Sequence, residues 1–229
     1  MIRLSSCLLL LAPFLAHAQQ PVDRGHAEWE PAIAEFEAAD RQNPPPRDAV
    51  LFVGSSSIVM WRTLDSDFPG VATINRGFGG SDLDDTTHFA RRIVLPYRPR
   101  AIVMYAGDND IMNGDSPEQL RDDFVEFVET VRSRYPDLPI AYIAVKPSIA
   151  RRALMDAGAR ANALIHDWAA GQDDVAFLDV FTPMLDARGE PRPELFLDDG
   201  LHMTAQGYAL WRPVVDAWLQ GVGADAPQG

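Results

Sequence analysis

Five short runs along the chain are almost wholly apolar: Ala49-Val50-Leu51-Phe52-Val53, Val71-Ala72-Thr73-Ile74, Ala101-Ile102-Val103-Met104-Tyr105, Ile140-Ala141-Tyr142-Ile143-Ala144-Val145 and Val175-Ala176-Phe177-Leu178. A strand with one wet face alternates apolar and polar residues, whereas a strand covered on both faces reads as an unbroken apolar run. The stretches between these runs have a helical period instead. Ser116-Pro117-Glu118-Gln119 offers an N-cap serine, proline at the first helical position and glutamine three residues past the cap. Leu120, Phe124, Phe127, Val128 and Val131 follow at helical spacing, and Pro136 limits the end. A second helix is predicted from Arg151 to Ala170, with Leu154, Ala161, Leu164, Ile165 and Trp168 on one side. A third runs from Thr204 to Leu219, with Tyr208, Trp211, Val215 and Trp218 facing the core, and Glu28 to Ala39 forms a helix ahead of the first strand.

Strands alternating with helices imply right-handed crossovers and an α/β fold. The expected architecture is a three-layer α/β/α sandwich around a flavodoxin-like parallel sheet of about five strands. Such folds place ligands at the carboxyl ends of the strands. Chemistry is therefore sought just after Val53, Ile74 and Tyr105, and in the loop before the last helix. One domain is expected over residues 19–220, with Pro44-Pro45-Pro46 as a rigid connector and residues 221–229 as a frayed tail.

Composition narrows this picture. Hydrophobic residues make up 47% and charged residues 23%, which places the bulk of the chain among folded globular domains. The formal net charge of −13 repels phosphate backbones, so nucleic acid is not an expected partner. Residues 1–18 read as a cleavable signal peptide: Arg3 precedes an apolar run from Leu8 to Leu15, and Ala16-His17-Ala18 supplies the small-x-small site. The run is too short to span a bilayer, so no stable membrane anchor is expected. The expectation is a secreted or periplasmic protein. Cleavage would remove Cys7, the sole cysteine, leaving neither a disulfide nor a cysteine metal site.

Four polar blocks follow the predicted strands. Gly54-Ser55-Ser56-Ser57-Ile58 places hydroxyls where a helix should begin, either as caps or as a nucleophile near a helix N-terminus. It is not a G-x-S-x-G elbow, since Ile58 stands at the last position. In Asn75-Arg76-Gly77-Phe78-Gly79-Gly80-Ser81 the glycines let backbone N–H groups approach a ligand, or form a plain turn with Ser81 capping the next helix. Asn109, in Ala106-Gly107-Asp108-Asn109-Asp110, can donate its amide to an oxyanion, or the block can be an Asx-type turn. Asp198-Asp199-Gly200-Leu201-His202 can set a carboxylate against an imidazole, an arrangement that serves a general base or a metal.

In this order the blocks resemble the SGNH family, also called GDSL esterases and lipases. Gly54-Ser55-Ser56, Gly77-Phe78-Gly79-Gly80, Gly107-Asp108-Asn109-Asp110 and Asp199-Gly200-Leu201-His202 carry the likeness, from about Leu51 to about Trp211. The resemblance implies an esterase with Ser56 as nucleophile, His202 as general base and Asp199 orienting His202. It implies an oxyanion hole from the backbone N–H groups of Ser56 and Gly80 and the side chain of Asn109, with no metal or organic cofactor. The family's Asp before the nucleophile is Ser55 here. Ser55 and Ser57 compete with Ser56 by composition, and Asp198 with Asp199; the family spacing favours Ser56 and Asp199. Lys146 and Arg151, beyond the fourth strand, are candidate contacts to an anionic or sugar part of a small-molecule or glycan ester, or else solvated charges. Short or carbohydrate acetyl esters are the favoured substrates. Two competing readings are a metal-dependent hydrolase built from Asp108, Asp110, Asp199 and His202, and a catalytically silent glycan-binding module.

Overall fold

The computed structural model describes residues 25–223. The expected signal segment, residues 1–18, lies outside them, as do residues 224–229 of the expected tail.

The chain forms five strands: β1 (Val50–Gly54), β2 (Thr73–Gly77), β3 (Ala101–Tyr105), β4 (Ile140–Ile143) and β5 (Val175–Leu178). They make one parallel sheet in the order β2-β1-β3-β4-β5, which is the flavodoxin-like order. The helices are α1 (Glu30–Gln42), α2 (Ser56–Val59), α3 (Leu64–Asp67), α4 (Leu83–Ile93), α5 (Asp108–Asn113), α6 (Pro117–Arg132), α7 (Met155–Ala169) and α8 (Ala205–Gly221).

Strand side chains alternate between faces, so each central strand feeds two cores. Leu51, Val53, Ile102, Met104, Ile140 and Tyr142 enter the layer packed with buried residues of α1, α4, α6 and α7. Val50, Phe52, Ala101, Val103, Tyr105, Ala141 and Ile143 enter the opposite layer, which includes Ile58 of α2, Leu64 of α3 and Tyr208, Trp211, Val215 and Leu219 of α8. Trp61 is fully packed there against Phe52, Phe68, Tyr208 and Trp211. Burial of this many large side chains, each worth roughly 1.5–3 kcal/mol, is what holds the sheet between its helical layers.

The sequence expectations match at β3 and β5 and shift elsewhere. β2 begins two residues after Val71, so Asn75, Arg76 and Gly77 belong to the strand rather than to the loop. β2 is an edge strand and only half buried; polar residues fit it, and an apolar-run criterion misses them. The first helix starts later than Glu28: a 3-10 turn over His26–Trp29 leads into α1. Arg151 likewise precedes a 3-10 turn, with α7 starting at Met155. Asp82, not Ser81, caps α4: it forms a reciprocal capping box with Asp85, while the Ser81 hydroxyl donates to Phe78 O at 2.8 Å. At α6 the capping box of Ser116 and Gln119 forms as read. The closing helix runs to Gly221, one residue into the stretch expected to fray.

Asp123 of α6 lies near a concentration of acid. Burial raises its carboxyl, Asp84, Asp115, Glu126 and Asp122 raise it further, and it reaches about 7. Between the ordinary carboxylate range and about 7, the native state keeps a proton that the unfolded chain has released. Stability therefore falls as pH rises through that window. Asp123→Asn is expected to raise Tm at pH 8 by roughly 2–4 °C and to leave it unchanged at pH 4. Thermal melts at the two pH values check this, and an equal shift at both would refute it.

Candidate active site

The site lies where β1, β2 and β3 end, closed by the loop before α8. At the end of β1 the backbone must leave the sheet at once. Gly54 does so with φ +129°, and a Cβ there would sit 1.8 Å from the Tyr105 carbonyl oxygen of the neighbouring strand. Only glycine fits this turn. Ser55 N–H then bonds that carbonyl at 2.9 Å, and the chain enters α2. Of the three consecutive serines, Ser55 and Ser57 are buried at 0% and 1% exposure, while Ser56 is partly exposed. The turn thus separates residues that composition leaves equivalent. The helix N-terminus expected at this serine is a single turn, Ser56–Val59, too short to sum many peptide dipoles.

The loop before α8 presents the imidazole. Leu197 N–H bonds His202 O at 2.8 Å, Gly200 N–H bonds Leu197 O at 2.9 Å, and Gly200 takes φ +65° to close the turn. Inside it, Asp199 Oδ1 accepts from the N–H groups of Leu201 and His202, both at 2.9 Å. Its Oδ2 lies 2.7 Å from His202 Nδ1, and His202 Nε2 lies 3.1 Å from Ser56 Oγ. The carboxylate that meets the ring is that of Asp199, not Asp198. The bond from His202, with the two backbone N–H bonds, lowers its carboxyl to about 2. It therefore stays ionised wherever an imidazole titrates, which fixes the proton of a neutral ring on Nδ1 and leaves Nε2 as acceptor. A hydroxyl held by such a ring can lose its proton to it as it attacks a carbonyl.

The glycine loop lies alongside. A Cβ on Gly79 would be 3.8 Å from Ser56 Cβ. Gly80 takes φ +86°, and a Cβ there would meet the ring of Trp29 at 3.0 Å. Trp29, whose sequence position 51 residues upstream gives no hint of a role here, covers the back of this loop.

Asn109 sits in α5, directly after β3, with 9% exposure. Its Nδ2 donates to Ser81 O at 2.9 Å, and its Oδ1 accepts from Arg151 Nη2 at 2.8 Å. The flanking aspartates are spent on structure. Asp110 Oδ1 accepts from Leu83 N–H at 2.7 Å, supporting the start of α4; burial and the charge of Asp82 hold its carboxyl well above the usual range. Asp108 Oδ2 accepts from Lys146 Nζ at 2.7 Å and lies 3.3 Å from Arg151 Nη1. Burial pushes the Asp108 carboxyl up, but Lys146 and Arg151 outweigh burial and hold it below its ordinary value.

Lys146, read from sequence as a candidate substrate contact, is turned inward. Its side chain is 1% exposed and is spent on Asp108 and on Tyr105 Oη, 3.1 Å away. An apolar interior accepts an ammonium only beside such a partner. Arg151 is largely covered as well, with its side chain 17% exposed. The four ligands of the metal-dependent reading do not converge. Among the described residues the carboxylate groupings close enough to share an ion are Asp82, Asp84 and Asp85, and Asp110, Asp115 and Asp123; neither includes His202 or Asp199.

Residues 33–210 match the GDSL-like Lipase/Acylhydrolase family. The chain belongs to this family. As a member it is an ester hydrolase. No match is found among curated proteins. Among solved structures, a candidate platelet activating factor from Streptococcus pneumonia aligns with a TM-score of 0.73 at 19% identity, covering 84% of this chain and 94% of that one. A GDSL-like lipase from Bacteroides thetaiotaomicron aligns at 0.71 and 20%, covering 82% and 97%. A carbohydrate esterase of family 3 from Talaromyces cellulolyticus aligns at 0.60 and 15%, covering 76% and 98%. At these identities the likeness is one of fold, and it extends over nearly the full length of each neighbour.

Lys146→Met would leave the Asp108 carboxylate buried with only the longer Arg151 contact. Breaking a buried pair in this way is expected to cost about 3–5 kcal/mol. Lys146→Met combined with Asp108→Asn, which removes both charges of the buried pair and leaves Arg151 to its partial exposure to water, should cost less. Urea unfolding of the two variants compares them, and a double variant less stable than the single one would contradict the assignment.

Proposed function

We propose that this GDSL-family hydrolase works through a Ser56–His202–Asp199 triad and an acyl-enzyme, on esters of small acyl groups such as the O-acetyl groups of carbohydrates. The observation that carries the reading is the continuous chain of contacts from Asp199 Oδ2 through His202 to Ser56 Oγ, at 2.7 and 3.1 Å.

In the first half-reaction Ser56 Oγ attacks the ester carbonyl carbon as its proton passes to His202 Nε2. The carboxylate of Asp199 stabilises the imidazolium. The carbonyl oxygen, now an anion, accepts hydrogen bonds from the backbone N–H groups of Ser56 and Gly80 and from Asn109 Nδ2. That nitrogen carries two protons, and Ser81 O takes one, so the other serves the substrate. Collapse of the tetrahedral intermediate expels the alcohol, which takes the proton from His202. Water then repeats the sequence on the acyl-enzyme and frees the acid. No step calls for a metal. The choice of an acetyl group draws support from a solved acetyl esterase of the same fold, and the choice of a carbohydrate from the carbohydrate esterase. Export rests on the signal-like pattern of residues 1–18.

The test is hydrolysis of p-nitrophenyl acetate by the wild-type chain and by Ser56→Ala, each with and without a chelator. Activity that survives the chelator and is lost in Ser56→Ala is the expected result. Chelator-sensitive activity, or activity retained by Ser56→Ala, would overturn the triad reading. A series from acetate to octanoate then tests acyl size, with rates expected to fall along it.

Asn109→Ala is expected to lower kcat by roughly a hundredfold or more, as loss of an oxyanion donor does. Steady-state kinetics beside wild type measure it, and an unchanged kcat would remove Asn109 from the hole.

A further inference from the structure

An asparagine in an oxyanion hole has a problem of symmetry. Its two ends have nearly the same shape but opposite polarity, and a half-turn about the last side-chain bond exchanges them. With Nδ2 toward the substrate, the side chain stabilises an anionic oxygen. With Oδ1 there, it repels it. Something must decide between the two.

Two neighbours of Asn109 do so. Ser81 O can only accept, and it takes Nδ2 at 2.9 Å. Arg151 Nη2 can only donate, and it meets Oδ1 at 2.8 Å. In the reversed orientation both contacts would become repulsive, a carbonyl against a carbonyl and a guanidinium against an amide N–H. Arg151 is itself held in place: its backbone N–H bonds Ser148 Oγ at 3.3 Å, and its Nη1 lies 3.3 Å from the Asp108 carboxylate, which Lys146 anchors from within. Two cations against one carboxylate leave an excess of positive charge at the far end of the Asn109 amide. The site is poorly exposed, so water screens that charge weakly. A guanidinium drawing on Oδ1 also makes the Nδ2 protons better donors.

We propose that Arg151 is a positioning residue for ester hydrolysis, acting through Asn109 by fixing and polarising its amide rather than by touching substrate. The inference rests on the reading of Asn109 as an oxyanion donor. It gives Arg151 a role different from the substrate contact expected from sequence, and it gives Lys146 and Asp108 the role of holding Arg151 at its place.

The experiment compares wild type, Arg151→Gln, Arg151→Lys, Asn109→Ala and the double variant Arg151→Gln/Asn109→Ala on p-nitrophenyl acetate. Rates are expressed per Ser56 labelled by a fluorophosphonate, so that only folded, reactive sites are counted. Arg151→Gln is expected to lose roughly tenfold to a hundredfold in kcat, with KM within about twofold of wild type. Arg151→Lys, which keeps a charged donor, should recover part of the loss. The double variant should be no slower than Asn109→Ala, because Arg151 has nothing left to act through. A raised KM with unchanged kcat would make Arg151 a substrate contact and overturn the proposal. So would losses that multiply in the double variant, or wild-type kcat in Arg151→Gln. Wild-type kcat in Asn109→Ala, with Ser56→Ala inactive, would remove this inference and leave the triad standing. Activity that does not depend on Ser56 would remove the triad reading itself. Should Arg151→Gln not fold, the Arg151→Lys comparison in both Asn109 backgrounds decides the same question.

Discussion

A carboxylate placed in an apolar interior must be answered by a positive charge, and the carboxylate of Asp108 organises much of what surrounds it. It lies just beyond β3, where the sheet ends. Lys146, just beyond β4, reaches it from inside the fold, and Arg151 reaches it as well. That pairing ties the ends of adjacent strands together. The next two residues of the same turn extend the tie: Asn109 bonds Ser81 O and Asp110 bonds the Leu83 N–H, so the start of α5 is stitched to the start of α4. Asn113 closes the seam by donating to the Asp82 carboxylate at 2.9 and 3.0 Å. The donor proposed for the oxyanion is thus set in a network of buried polar contacts, in which Asp108 Oδ1, Asp110 Oδ2 and Arg151 Nη1 are left without a hydrogen-bond partner among the described residues.

The other half of the site is held by apolar contacts. The turn that exposes Ser56 sits on the aromatic cluster of Phe52, Trp61, Phe68 and Trp211, and Tyr208 of α8 donates from Oη to Ser57 O at 3.0 Å. Ser56 therefore rests on a close-packed base, while its partner His202 hangs from a loop whose side chains are partly exposed. The member held by the loop is the one that must take up and give back a proton.

Much of this was legible in the sequence because burial on two faces leaves a plain signature. The runs Ala101–Tyr105 and Val175–Leu178 coincide with β3 and β5. The runs at β1 and β4 mark their strands to within two residues, and residues of the four polar blocks lie together at one end of the sheet. The edge strand β2 was displaced, since a strand with one open side tolerates Asn75 and Arg76. Ser81 and Asp82 both have the chemistry of a helix cap, and each has an aspartate three residues on, Asp84 and Asp85, so the spacing does not separate them. What could not be read was pairing across the fold. Lys146 looks like any loop lysine until Asp108, 38 residues earlier, is seen to need it, and Trp29 has no local pattern that would set it behind Gly80. The three serines differ only through the turn at Gly54, whose shape comes from the neighbouring strand.

The 146 residues that separate Ser56 from His202 also order events in time. As a chain emerges from the ribosome at roughly 5–20 residues per second, the serine turn precedes its imidazole by roughly seven to thirty seconds. During that interval β1, β2 and β3 can pair, while the hydroxyl still lacks the base that would make it reactive. Nucleophilicity is in this sense the last property the nascent domain acquires, arriving only with the segment that also closes its second core.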